Sequence, residues 1–225
     1  MTFEELNLSA QIQRSIQEMG FKKPSPIQEQ ALPILLGEAT DFIGLAATGT
    51  GKTAAFSLPM LERIDASNPG VQALVLCPTR ELAGQVAEQI NLLGRYKGLK
   101  AAAVYGGASF GDQVYKLKQG ASIVVGTPGR VIDHLSRGTL NLEAVSVLIL
   151  DEADEMISMG FKDELEEILK SVPREKANTW LFSATMSREV RRVADTYLRK
   201  PKTVQINRTE MLSSTVEQFY YVTQE

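Results

Sequence analysis

Short apolar runs without polar alternation recur along this chain, and segments with helical spacing separate them. Consecutive apolar positions are typical of strands that are buried on both faces of a sheet. Strands and helices in regular succession indicate a mostly parallel central sheet with helices on both faces, an α/β sandwich of three layers. Strands are predicted at 41–46, 73–77, 100–105, 122–126, 144–150, 179–184 and 203–206. Helices are predicted at 9–19, 26–36, 53–64, 80–93, 110–119, 131–135, 161–171 and 187–198.

Composition limits the kind of ligand that such a sheet can bind. The 225 residues carry a formal charge of -3, from 24 basic and 27 acidic residues. This balance argues against a protein that coats nucleic acid by charge alone, so any polyanion site must be local. The single cysteine, Cys77, lies in an apolar run and is predicted to be a core residue. With one cysteine and no apolar run of about 18 residues, we expect a cytoplasmic location.

The first six apolar runs are each followed by residues suited to ligand binding. In chain order these segments read ATGTGKT, PTRE, GG, TPGR, DEAD and SAT. The carboxyl ends of parallel strands meet at one edge of a sheet, and ligands bind in the crevice outside that edge. The sequence therefore predicts one functional rim.

The first of these segments, residues 46–53, has the pattern of a phosphate-binding loop between a strand and a helix. Gly49 and Gly51 permit backbone conformations that turn successive N–H groups toward one anion. Lys52 would contact the β and γ phosphates of a nucleoside triphosphate, and the Thr53 hydroxyl would bind Mg²⁺. Ala46 replaces the more usual first glycine of the motif. The alternative is a glycine-rich turn with a solvated lysine.

Two adjacent acids follow the fifth apolar run, in the segment LILDEAD. Asp151 at the strand end is predicted to hold Mg²⁺, and Glu152 to orient or deprotonate the attacking water. Two neighbouring carboxylates at a dry strand end would repel each other without a cation between them and the phosphates. The alternative is a solvated acidic turn before a helix.

Together these segments carry a family resemblance. GFKKPSPIQ (20–28), AATGTGKT (46–53), PTREL (78–82), GG (106–107), TPGR (127–130), DEAD (151–154) and SAT (183–185) occur in this order. From Phe3 to about Tyr221 the chain resembles the amino-terminal half of a DEAD-box RNA helicase. The resemblance implies a RecA-like fold, ATP and Mg²⁺ as cofactors, and ATP-dependent remodelling of RNA by two RecA-like domains that close over ATP and RNA.

The resemblance makes Gln28 the reader of adenine, and the chemistry of the side chain agrees. A carboxamide can donate to N7 and accept from N6, which guanine cannot match. Phe21 would stack on the base, and Pro24 and Pro26 would stiffen the loop that aims Gln28. Without the family, Gln28 would be an ordinary residue of a helix start. The complete nucleotide site implied is Phe21, Gln28, Ala47, Thr48, Gly49, Thr50, Gly51, Lys52 and Thr53.

The resemblance also implies an RNA surface and a coupling device. Arg80 and Arg130 offer planar cations to RNA phosphates, independently of base sequence, although Arg130 could instead pair with an acid of its own domain. Ser183 and Thr185 would couple ATP state to RNA through hydrogen bonds with Asp154, or would cap the helix predicted near residue 187. The RNA-binding set is Pro78, Thr79, Arg80, Gly106, Gly107, Thr127, Pro128 and Arg130.

Two conspicuous side chains are predicted to be structural. His134, the only histidine, has no second metal ligand nearby in the sequence and is expected to be a surface or packing residue. Trp180 lies within a predicted strand and is expected to belong to the core.

The domain organisation follows from the same comparison. Residues 1–40 are expected to form a helical extension for adenine recognition, 41–206 a RecA-like ATP-binding domain, and 207–225 a linker with the start of a truncated second domain. No segment matches the second domain's motifs, so we expect half of a helicase with little activity alone. The alternatives are a nucleotide-dependent binding module that does not hydrolyse ATP and another P-loop enzyme.

Overall fold

The computed structural model describes residues 1–206, so the predicted linker and second-domain strand at 207–225 lie outside the described residues. Seven strands and nine α-helices alternate along this part of the chain. The strands are β1 (Phe42–Leu45), β2 (Ala73–Leu76), β3 (Ala101–Val104), β4 (Ile123–Gly126), β5 (Val147–Leu150), β6 (Asn178–Ser183) and β7 (Lys202–Gln205). The helices are α1 (Ala10–Glu18), α2 (Pro26–Leu36), α3 (Lys52–Arg63), α4 (Arg80–Gly94), α5 (Phe110–Lys118), α6 (Pro128–Ser136), α7 (Ala153–Ser158), α8 (Lys162–Ser171) and α9 (Arg188–Tyr197).

All seven strands form one parallel sheet in the order β3-β4-β2-β5-β6-β1-β7. The register aligns the carboxyl ends of the strands: Leu45 pairs with Ser183, and Leu76 pairs with Leu150. The segments that follow β1, β2, β5 and β6 therefore begin at one edge. This confirms the predicted parallel α/β fold and gives the functional rim a physical location.

Each face of the sheet is covered by its own apolar core. Val75 and Trp180 point to the face that packs against α1 to α4, whereas Leu74 and Leu181 point to the face that packs against α6 to α9. Side chains alternate between the two faces of a strand, so strands buried on both sides must be apolar throughout. Trp180 and Cys77 are fully buried, which confirms both as core residues.

The amino-terminal extension shares the core of the sheet. Ile12 of α1 and Leu32 of α2 belong to the same buried cluster as Phe56 of α3 and Phe182 of β6. The α1 helix is also held by polar contacts, because Glu62 of α3 accepts hydrogen bonds from the backbone and the hydroxyl of Ser9. The first helices are thus fixed directly to the helix that follows the phosphate loop.

At the amino-terminal ends of the strands, opposite the functional rim, one buried carboxylate joins three strands. Asp41, just before β1, accepts hydrogen bonds from the backbone N–H groups of Thr179 and Arg199 at 3.0 and 2.6 Å. The side chain of Asn178 donates a third at 3.2 Å. Asp41 therefore ties β1 to β6 and to the segment that enters β7.

Some predicted boundaries were wrong. The helix predicted at 131–135 begins earlier, at Pro128, because proline suits the first helical position, where its missing N–H has no partner to lose. The strand predicted at 144–150 begins at Val147, since Val145 turns to donate to Leu142. Helix α7 was not among the predicted helices. No helix within residues 1–206 is long and apolar enough to cross a bilayer.

Candidate functional site

The loop between β1 and α3 has the geometry of an anion cradle. Gly49 and Gly51 have φ angles of 79° and 93°, in the left-handed region that glycine adopts without strain. The Thr50 hydroxyl closes the loop by donating to the Ala47 carbonyl at 2.7 Å. Helix α3 begins at Lys52, so its free N–H groups and positive dipole end lie at the loop.

Lys52 and Asp151 are buried at the rim, and neither is fully satisfied. Lys52 is 5% exposed and Asp151 is 2% exposed. Within residues 1–206, Lys52 Nζ and Asp151 Oδ1 have no hydrogen-bond partner. Because a buried unpaired charge is costly, this arrangement indicates that a ligand completes the site. A phosphate and a divalent cation match these two charges, and the Thr53 hydroxyl in the first turn of α3 could be a further cation ligand.

The environment of Asp151 changes its acidity. Burial raises the pKa of its carboxyl group from 3.8 to about 7, and nearby Glu152 adds to the increase, while the charge of Lys52 opposes it. A bound cation would favour the ionised form of the carboxylate. This pairing of a dry carboxylate with a buried ammonium fits Mg²⁺ bound to a nucleotide.

Glu152 reaches the phosphate loop through an unusual backbone. Its φ and ψ angles are 54° and 52°, a left-handed conformation that costs a residue with a side chain on the order of 1 to 3 kcal/mol. Glu152 Oε1 accepts a hydrogen bond from the Thr48 hydroxyl at 3.1 Å. The strained turn between β5 and α7 therefore brings the second acid against the loop.

Gln28 connects the amino-terminal extension to the same loop. Its side chain is 7% exposed. Oε1 accepts from the Ser25 backbone N–H at 3.0 Å, and Nε2 donates to the Gly51 carbonyl at 2.9 Å. One amide hydrogen and one lone pair remain for a further ligand. A Cβ atom at Gly51 would lie 2.4 Å from Gln28 Nε2, so a larger residue there would displace the Gln28 carboxamide as well as strain the backbone.

Phe21, the predicted stacking residue, packs on the ring of Phe3 in this structure. The ring centroids are 6.2 Å apart and the planes are inclined by 29°. Pro24 is buried just before the loop that carries Gln28. Whether Phe21 also contacts a base stays a prediction.

The structure brings the three predicted coupling residues together. Asp154 Oδ2 accepts from the backbone and the hydroxyl of Thr185 at 2.9 and 2.8 Å. The Ser183 hydroxyl accepts from the Asp154 N–H at 3.3 Å and donates to the Thr185 carbonyl at 2.8 Å. Burial opposes ionisation of Asp154, but these hydrogen bonds outweigh it and lower the pKa of the carboxyl. The cap of α9 is Ser187 itself, which accepts from Val190.

The predicted RNA surface begins after β2 and β3. Thr79 caps α4, since its hydroxyl accepts from the Leu82 N–H at 3.2 Å. Arg80 is exposed and pairs with neighbouring Glu81 at 2.7 Å. A Cβ atom on Gly107 would lie 3.6 Å from Arg80 Nη1, so these two motifs are adjacent. Gly106 is exposed beside them, whereas Pro78 is buried.

The remaining part of this surface lies at the start of α6. Thr127 makes no side-chain capping bond, and Pro128 occupies the first helical position. Arg130 is largely buried: Nη1 donates to the Ala108 carbonyl and to Gln113 Oε1, both at 3.2 Å, and Nε lies 3.5 Å from Asp133. The arrangement corresponds to the alternative in which Arg130 pairs within its own domain.

Gln113 is the residue that sequence reasoning missed. It is 4% exposed, and its Nε2 donates to the Tyr105 carbonyl at 2.9 Å. Its Oε1 lies 3.0 Å from His134 Nε2 and also accepts from Arg130. His134 is fully buried and stacks on Phe110, which makes it a packing residue; burial and Arg130 lower its pKa. The sequence signal that could have indicated its role is a glutamine on the buried side of α5.

Comparisons with known proteins agree with this geometry. The family model described as DEAD/DEAH box helicase matches residues 25–193. The DEAD-box ATP-dependent RNA helicase CshA of Bacillus subtilis is 45% identical over 225 residues, which are 100% of this chain and 45% of that protein. CshA of Streptococcus pneumoniae is 50% identical over 220 residues, 98% of this chain and 42% of that protein.

Solved structures give the same result. A DEAD box protein from the hyperthermophile Methanococcus jannaschii superposes with a TM-score of 0.89 at 45% identity, covering 93% of this chain and 57% of that one. A hypothetical ATP-dependent RNA helicase from Sulfolobus tokodaii superposes with a TM-score of 0.81 at 38% identity, covering 88% and 57%. The chain spans less than half the length of the two CshA proteins. It belongs to the DEAD/DEAH box helicase family.

Proposed function

We propose that this chain is the ATP- and RNA-binding amino-terminal half of an ATP-dependent RNA helicase. The buried, unpaired charges of Lys52 and Asp151 beside a glycine loop carry the proposal. Lys52 binds the β and γ phosphates, and Asp151 and Thr53 hold Mg²⁺, which neutralises charge on the phosphates when bound. Glu152 orients the attacking water and accepts its proton.

The base and the RNA are bound at opposite sides of this centre. Gln28 reads adenine while its contact with the Gly51 carbonyl fixes the distance between base and phosphates. Arg80, Gly107 and Thr127 follow the sugar-phosphate backbone of RNA without reading bases. Asp154 and Thr185 transmit the nucleotide state toward that surface through their paired hydrogen bonds.

Efficient hydrolysis and unwinding require a second RecA-like domain. The two curated relatives are more than twice as long as this chain, which supports a further domain in the whole protein. We assign residues 1–40 to adenine recognition, 41–206 to the RecA-like ATP-binding domain and 207–225 to the linker and the start of the second domain.

Calorimetric titration with Mg·ADP and Mg·ATP tests the nucleotide site. Lys52→Ala should abolish measurable binding while the circular dichroism spectrum stays unchanged, since the variant removes the buried cation of a preformed loop. Lys97→Ala is a matched control that removes a partly buried lysine bound to Glu62 instead. Unchanged nucleotide affinity in Lys52→Ala would contradict the proposed site.

A further inference from the structure

Helix α3 connects the phosphate loop to a polar cluster at its other end. The helix begins at Lys52 and ends at Arg63, which spans about 18 Å at 1.5 Å per residue. At that far end, the Arg63 guanidinium lies over the Trp180 ring, 5.3 Å from the ring centroid. Arg63 belongs to none of the motifs that carry the family resemblance.

Each nitrogen of the Arg63 guanidinium donates a hydrogen bond to a neighbouring segment. Nε and Nη2 donate to the Leu35 carbonyl at 3.2 and 2.8 Å, and Nη2 also donates to the Glu38 carbonyl at 3.1 Å. Nη1 donates to Asn178 Oδ1 at 3.2 Å. Leu35 lies in the last turn of α2, where carbonyls lack helical partners and the dipole favours a cation. Arg63 therefore caps the carboxyl end of α2.

The other end of α2 is bonded to the other end of α3. Gln28, in the first turn of α2, donates to the Gly51 carbonyl immediately before α3. The two helices are thus joined by directional bonds at both ends. Between these ends, apolar side chains of both helices, such as Leu32 of α2 and Phe56 of α3, belong to one buried cluster. Apolar packing is non-directional and tolerates small sliding and rotation, whereas two terminal hydrogen-bonded contacts define one orientation.

We propose that Arg63 is a positioning residue for base recognition: by holding the far end of α2 on α3, it fixes the direction in which the Gln28 carboxamide faces a bound base. The inference rests on the proposed role of Gln28 as the adenine reader. Arg63 acts from the opposite end of the helix and needs no contact with the nucleotide. Lysine is a poor substitute because its single ammonium cannot reproduce a planar fork directed at three acceptors.

Affinities for Mg·ADP and Mg·GDP, measured by calorimetry on the 225-residue chain, test this role. We expect the wild type to prefer ADP. Arg63→Met should reduce the ADP-to-GDP affinity ratio roughly tenfold, mainly because ADP binds more weakly. A loss of this size is within the range that one misaligned bidentate contact can cause. Arg63→Lys should give an intermediate ratio, and it serves as the readable variant if Arg63→Met does not fold.

Arg174→Met is the matched control. Arg174 also donates to a carbonyl in the last turn of a helix, that of Thr196 in α9 at 2.6 Å, and lies over an aromatic ring, that of Tyr197, but α9 packs on the other face of the sheet from α2 and α3. For this control variant we expect a lower thermal stability and an unchanged ADP-to-GDP affinity ratio. The same pattern in both Arg63 variants would overturn the proposal and leave the nucleotide site intact. A wild type that binds ADP and GDP equally would instead overturn the adenine role of Gln28, and with it the role of Arg63.

Discussion

Lys52 and Asp151 are exceptions among the buried polar side chains of residues 1–206. Most such groups have a hydrogen-bond partner, and the few atoms without one include Lys52 Nζ and Asp151 Oδ1. Lys52 was predicted from the phosphate-loop pattern, and Asp151 from its position at the end of an apolar run. The left-handed backbone of Glu152 was not predicted, because it depends on how β5 meets α7 and not on residue type. Chemical identity was thus readable from the sequence, whereas local strain was not.

The raised pKa of Asp151 gives the nucleotide-free protein a defined pH dependence. Since the folded state binds this proton more tightly than the unfolded chain, with a pKa of about 7 against 3.8, the group favours folding at low pH. That contribution is lost as the pH rises from about 4 through about 7. Asp151→Asn does not titrate, so its melting temperature should exceed that of the wild type by a margin that grows up to about pH 7 and stays constant above it.

Differential scanning fluorimetry across this pH range measures the effect without nucleotide. Asp195→Asn, which changes an exposed acid on α9, controls for the general effect of losing a charge and should follow the wild type. A constant difference between Asp151→Asn and the wild type at every pH would contradict a raised pKa.

The bounds of helices and strands agree with those predicted from the sequence where a segment is buried at every position. They differ where contacts with other segments determine the local conformation. β2 and β4 are buried at every position, and their apolar runs predicted them to within a residue. The contacts of the Gln113 side chain could not be predicted because its partners come from two other segments: Tyr105 follows β3, and Arg130 and His134 lie in α6. The site could therefore be predicted as a set of residues, but not which hydroxyls and guanidinium groups are already engaged.

The two arginines of the predicted RNA surface should behave differently. Arg80 is exposed and has only a solvated pair with Glu81, which is weak, so its guanidinium can turn to a phosphate. Arg80→Met should weaken binding about equally for every RNA sequence and flatten the slope of log affinity against log salt by ~0.7. Arg130→Met should mainly lower thermal stability, because it leaves Gln113 Oε1 and the Ala108 carbonyl without that donor.

Fluorescence anisotropy with labelled oligouridylate and oligoadenylate, in a series of salt concentrations, separates these outcomes. A non-hydrolysable ATP analogue should be present so that the nucleotide state is the same throughout. If Arg80→Met lost affinity for only one of the two RNAs, the residue would read bases, and the backbone-binding model would fail. If Arg130→Met also flattened the slope of log affinity against log salt, Arg130 would contact an RNA phosphate despite its bonds within this domain.

At the scale of the whole molecule, the cations of the rim are divided between the nucleotide site, which holds Lys52, and the proposed RNA surface, which holds Arg80 and Arg130. Among the lysines and arginines of residues 1–206, Lys52 is the one whose residue is buried. The transition state of phosphoryl transfer spreads negative charge over the γ-phosphate oxygens, and an arginine supplied to that site accelerates hydrolysis by about 10³ to 10⁵. Arg80, an exposed arginine of the rim, lies at the proposed RNA surface beside Gly107. Binding and rapid hydrolysis should therefore be separable properties.

We accordingly expect the 225-residue chain to bind Mg·ATP and to hydrolyse it barely above background, with or without RNA. Glu152 can orient water, but among residues 1–206 Lys52 is the one buried cation available to the charge that develops on the γ-phosphate. A coupled assay of phosphate release, with Glu152→Gln as the matched inactive control, measures the residual rate. A longer protein that includes the proposed second domain should exceed this rate by about 10³-fold or more when RNA is added. Robust RNA-stimulated turnover by the 225 residues alone would mean that this half contains all the groups needed for hydrolysis, and the two-domain model would have to be abandoned.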